Sequence, residues 1–140
     1  MKSLFFVLFI ILVFIPKLAI ADMAGVNFGF GQHTRPFYGF DYQFTLGKSS
    51  PAPYIDTAIF ANSEYVQPYV SAGFQFEYVN VGLGAALVCT NSSSQLLVGP
   101  ELGYSINITK TVYVKESNSL LSDSSFKFTF GATIGVGLNF

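Results

Sequence analysis

Few residues in this 140-residue chain are equipped for catalysis, and their spacing does not assemble a site. His33 is the only histidine and stands two positions before Arg35, and Cys89 is the only cysteine. An imidazole can act as a general base toward a serine hydroxyl if the two lie within hydrogen-bond reach and a third group orients the ring. Ser71 and Ser105 fall on faces read below as inward, yet neither has a visible activating partner. His33 and Cys89 are 56 positions apart, so no metal ligand set is expected. The glycines come singly inside strand-like segments and none opens a helix, which leaves no phosphate-cradling loop. No cofactor is expected, and His33 stays the one candidate for chemistry, with a solvated loop residue as its simpler reading.

The remaining polar groups make sense only once the elements that carry them are placed. After residue 21 no stretch keeps the three-to-four spacing of an amphipathic helix; alternation with a period of two recurs instead. At the C-terminus Phe126, Phe128, Phe130, Ala132, Ile134, Val136, Leu138 and Phe140 alternate with lysine, threonine, asparagine and glycine. That register is longer than an ordinary strand of about 5–6 residues and covers the roughly 9–11 residues a tilted strand needs to cross a membrane. The same alternation over 65–78 puts Val66, Pro68, Val70, Ala72, Phe74 and Phe76 on one face, with Pro68 expected near a strand end or bulge because it lacks a donor.

Strands are expected at 25–32, 37–46, 55–61, 65–78, 79–89, 95–106, 109–115 and 126–140, joined by short turn-rich connections and a longer loop at 116–125. Eight antiparallel strands closing up-and-down into a barrel leave no unpaired edge. The polar parity then lines a narrow interior, with many glycines and a network drawn from Asp41, Glu77, Glu101, Lys115 and Lys127. Three acids and two lysines on a buried face need partners or water, so a packed ionic plug is expected and no open pore. Tyr38, Tyr42, Tyr54, Tyr65, Tyr78 and Tyr104 are expected to face outward, mostly near strand ends where an interfacial belt sits. Cys89 falls on the outward parity as a small apolar filler.

Composition agrees. The chain is 51% hydrophobic, 17% aromatic and 11% charged, where soluble domains carry about 25% charged residues. The net charge is −1 and the basic residues are scattered, which argues against nucleic-acid binding. A soluble secreted, lipocalin-like barrel would also alternate, but with its apolar set inside and polar groups outside. Here the polar set has too many glycines and too few charges for a wet surface.

The first 21 residues read as a secretory signal: Lys2, an apolar run from Leu4 to Ile15, then Ala19-Ile20-Ala21 as a cleavage site. Twelve apolar residues in helix reach only about 18 Å, short of a hydrocarbon core of about 30 Å. Residues 22–140 would then form a single barrel domain.

The last strand, Thr133-Ile134-Gly135-Val136-Gly137-Leu138-Asn139-Phe140, resembles the terminal strand of outer-membrane barrels, which ends in phenylalanine after alternating apolar residues and an upstream glycine. With the N-terminal signal and the strand count, the chain is similar to the small OmpX/OmpA-like group. The resemblance implies that Gly135, Val136, Leu138 and Phe140 form a signal for the barrel-assembly machinery, and that the chain lives among outer-membrane lipid and lipopolysaccharide. Some barrels of this size are lipid-modifying enzymes, and a lipid A deacylase group carries a His/Ser/Glu hydrolase on the barrel wall. The segment around His33, GFGQHTRPF, lacks the His-x-Ser arrangement of that group. The reading is therefore a non-enzymatic outer-membrane barrel serving envelope integrity or surface interaction, with loop 116–125 as its surface for a partner. The alternatives are a lipid A deacylase-like enzyme, a small channel or a soluble lipocalin-like barrel.

Overall fold

The computed structural model describes residues 21–31, 36–47 and 49–140. The expected signal segment falls almost wholly outside them, as does His33. The described chain forms eight strands: β1 Ala21–Gly31, β2 Pro36–Thr45, β3 Ala52–Ala61, β4 Tyr65–Phe76, β5 Val79–Thr90, β6 Ser94–Asn107, β7 Val112–Ser122 and β8 Phe128–Asn139. Each pairs antiparallel with its sequence neighbour, and β8 returns to β1 to close the barrel. Closure gives every strand two partners, so no row of unpaired backbone groups is left at an edge.

The alternation that marks the strands also sorts them into two faces. Val26, Phe28, Phe30, Tyr38, Phe40, Phe74, Leu83, Leu102, Ile134 and Val136 are all exposed on the outside. Asp41, Gln43, Asp56, Glu101 and Lys115 are buried inside. This is the reverse of a lipocalin arrangement. A belt of rings and branched aliphatics runs round the whole barrel, whereas a soluble monomer rarely exposes one apolar patch beyond a few hundred Å².

Two strands correct the sequence reading in ways that matter for the interior. β3 begins at Ala52, not 55, because Pro51 and Pro53 resemble turn residues yet Pro53 sits on the outward edge of a paired strand. Tyr54 is consequently inside, 1% exposed, and not part of an outer belt. Tyr65 also faces inward, onto the distal cluster described below. β7 runs from Val112 to Ser122, so most of the expected loop 116–125 is strand and the connection shrinks to residues 123–127. Its polar stretch Glu116–Ser119 imitates a loop; in fact Ser117 and Ser119 pair across β8 with Thr133 and Gly131 and line the interior. Glu116 and Asn118 point outward, where the Asn118 amide donates to Glu116 Oε1 at 3.0 Å. They are the polar break in an otherwise apolar face.

Pro68 lies fourth in β4, neither at an end nor at a bulge. Its pairing to Ile59 on β3 is intact, and the pairs Val66↔Cys89 and Tyr69↔Ala86 keep one register across the gap it leaves toward β5. The missing proline donor interrupts the ladder locally without shifting it. β4 then turns into β5 through Glu77 and Tyr78 alone, with Glu77 at φ +41°, in the left-handed region that two-residue hairpins demand.

Candidate functional site

Side chains meet across the lumen, which shows how narrow it is. Lys115 on β7 reaches the opposite wall: its Nζ donates to Asp41 Oδ2 at 3.1 Å and, in a shorter contact, to Asp56 Oδ2. Asn27 Nδ2 donates to the other oxygen of Asp41 at 2.6 Å. Tyr69 on β4 donates its hydroxyl to Glu101 Oε2 on β6. A neutral set lies nearer the chain ends: Gln43 Nε2 donates to Gln75 Oε1 at 2.9 Å, and Asn80 Nδ2 to Gln43 Oε1 at 3.3 Å. Glycines on the inward parity leave room for these side chains; at the cross-strand Gly73–Gly82 pair a Cβ on Gly73 would lie 2.5 Å from Gly82 Cα.

These contacts divide the interior into three levels. A cavity of about 270 Å³ occupies the half away from Phe140, and a second of about 300 Å³ opens at the end that holds Asn139 and Phe140. The five bulkiest fully buried side chains are Tyr54, Tyr113, Gln43, Asn80 and Ser71, and none of them lines either cavity. They form a waist that closes the lumen between the two. Above it two facing sides of the distal cavity are apolar: Phe37, Ala58 and Phe60 pack on one, with the Phe37 and Phe60 rings 5.3 Å apart. Ala86, Leu97 and Leu121 pack on the other, and Tyr69 touches both groups. The floor is Asp41, Asp56, Glu101 and Lys115.

Asp41, Glu101 and Lys115 therefore converge in the interior, but two other residues expected there do not. Glu77 is exposed in the β4–β5 turn, at the mouth of the proximal cavity and away from the buried cluster, since the strand ends one residue before it. Lys127 is exposed in the β7–β8 connection, where its amide donates to Asp123 Oδ1 at 3.0 Å. Parity carries no information past the end of β4 at Phe76 or before the start of β8 at Phe128. Asp56 is the interior acid that the sequence reading missed. On β3 both faces are apolar, with Ala52, Tyr54, Ala58 and Phe60 inside and Ile55 and Ile59 outside, so polarity does not tell in from out. The cross-strand register Gln43↔Asp56↔Ser71 does, since both neighbours are inward.

Ser71 and Ser105 are buried inside; Ser71 pairs in register with Asp56, and no histidine is described beside either serine. Among the described residues no group of three His, Cys, Asp or Glu side chains could hold a metal ion. Cys89 is half-buried on the outer face. Gly135 is inside, Val136 and Leu138 point outward, and Phe140 follows the last strand, exposed at the mouth of the proximal cavity.

No protein-family model and no curated protein sequence matches the chain. Solved structures do. The chain is similar in fold to the N-terminal β-barrel domain of Pseudomonas aeruginosa OprF, with a TM-score of 0.62 at 14% identity, covering 87% of this chain and 98% of that one. It is also similar to Ail, the attachment invasion locus protein of Yersinia pestis, with a TM-score of 0.50 at 16% identity, covering 86% of this chain and 97% of that one. What the chain shares with these structures is the fold, a closed eight-stranded antiparallel barrel.

Proposed function

We propose that the chain is an outer-membrane barrel without enzymatic activity that contributes to envelope integrity or surface interaction. One observation carries the reading: a closed barrel whose outward face is apolar on every strand but for the Glu116–Asn118 break on β7, and whose waist is filled by side chains that carry polar groups. Strands of 10 to 14 residues suit a tilted crossing, which needs about 9–11. The fold shared with OprF and Ail supports the same setting. In it residues 1–21 are a cleaved export signal, residues 22–140 the barrel, and Gly135, Val136, Leu138 and Phe140 the strand read by the assembly machinery. Outer-membrane lipid and lipopolysaccharide contact the apolar belt. A surface partner meets the short connections at the end away from Phe140, not a loop at 116–125.

The test is a deletion strain assayed for uptake of a hydrophobic fluorescent dye, for attachment to host matrix, and for lipid A structure. Loss of the chain is expected to raise dye uptake or lower attachment with lipid A unchanged, and His33→Asn is expected to restore the lost property fully. A His33-dependent change in lipid A acylation would replace this reading with the enzymatic one. No change in barrier or attachment would refute it.

A further inference from the structure

The distal cavity is built like a receptor for something small. Its walls are apolar on two facing sides, and its floor carries three carboxyl groups against one ammonium. Lys115 is engaged through the Oδ2 atoms of both Asp41 and Asp56. Asp41 receives Asn27 as well, and Glu101 receives Tyr69. Asp56 Oδ1 receives nothing, although Asp56 is only 4% exposed and lines the cavity. A buried carboxylate oxygen without a donor is costly, and more so when the surrounding formal charge is already negative.

We propose that this vestibule binds a small organic cation, whose ammonium donates to Asp56 Oδ1 while its apolar body lies between Phe60 and Leu121. An ammonium both supplies the missing donor and offsets the excess negative charge of the floor. An anion would face three carboxyl groups and a lysine whose ammonium is already shared by two of them. A neutral apolar guest would fill the space and leave Asp56 Oδ1 unmet. The volume bounds the guest: about 270 Å³ suits a single-ring or short-chain amine. The inference rests on the barrel interior and not on the proposed role in the envelope.

Methyl NMR of the whole barrel in zwitterionic nanodiscs tests it, reading Ala58, Leu97 and Leu121 against three probes: 2-phenylethylammonium, 2-phenylethanol and 3-phenylpropanoate. The cation is expected to give saturable shifts with a Kd about tenfold or more below those of the alcohol and the anion, the worth of one charge-assisted hydrogen bond. Asp56→Asn is expected to erase that preference while the alcohol still binds. Should Asp56→Asn fail to fold, the three probes on the native chain decide alone. Equal binding of the alcohol, preference for the anion, absence of saturation, or shifts confined to outward methyls would each overturn the proposal.

Discussion

Lys115 Nζ lies 3.1 Å from Asp41 Oδ2, although the two residues are 74 positions apart in sequence and stand on strands that face each other across the lumen. The bond is a register mark: only one pairing of all the intervening strands brings β7 and β2 level at this height. With Asp56 it makes a buried cluster in which each charge depends on the others. Removing one partner of such a pair costs about 3–5 kcal/mol, because the other charge is left buried alone. Lys115→Met is therefore expected to destabilise the barrel by that order, and Lys115→Met with Asp41→Asn and Asp56→Asn to recover most of the loss. Urea unfolding from lipid vesicles measures both; equal stability of Lys115→Met and the native chain would show that the cluster does not matter.

The waist should block ions. Tyr54 and Tyr113 are each 1% exposed and stand between the two cavities. In planar bilayers the native barrel is expected to show no steady conductance, and Tyr54→Ala with Tyr113→Ala to show discrete channel events. Steady conductance from the native chain would mean the lumen is open.

Gly73 faces Gly82 at a point where β4 and β5 cannot spread, and a Cβ on Gly73 would meet backbone and not a movable side chain. Gly73→Val is expected to destabilise by about 1–3 kcal/mol, the usual cost of overpacking. The same substitution at Gly131, where a Cβ would meet only the Ser119 hydroxyl at 3.1 Å, is expected to cost less. Paired unfolding curves of the two variants check the order.

Much of this was legible in the sequence. The period of two located eight strands, and its parity put Asp41, Glu101 and Lys115 together inside without any structural information. Parity failed where its contrast fades. On β3 both faces are apolar, which hid Asp56 and sent Tyr54 to the wrong side. On β7 the outward Glu116 and Asn118 broke the contrast and made a strand look like a loop. Strand ends carry no parity signal at all, and there Glu77 and Lys127 were drawn inside by extrapolation. The apolar walls of the vestibule escaped for the same reason: Phe37, Phe60 and Leu97 are inward on strands whose outward residues are equally apolar, and Leu121 lies in the stretch of β7 that imitates a loop.

The β7–β8 connection offers a titration. The backbone amide of Lys127 above all, with that of Ser125, donates to Asp123, and together they hold its carboxyl below the usual carboxylate range. A group whose folded pKa is depressed contributes order above its unfolded pKa of about 3.9 and loses it as pH falls through the folded value. Protection of the Ser125 and Lys127 amides from hydrogen exchange, corrected for intrinsic rates, is expected to hold at neutral pH and to fall below about pH 4. Asp123→Ala should lower it at every pH, and protection independent of both would remove Asp123 from the turn.

The central claim is a closed barrel that holds its apolar belt in lipid, and heat modifiability reads it most directly. Outer-membrane fractions are run in SDS with and without boiling. A closed, cross-braced barrel resists the detergent until heated, so the unboiled band is expected to migrate apart from the boiled one and to stay with the membrane pellet through an alkaline wash. A single band in both lanes, with the protein recovered in the soluble periplasmic fraction, would contradict the account and turn the apolar face into an interface buried some other way.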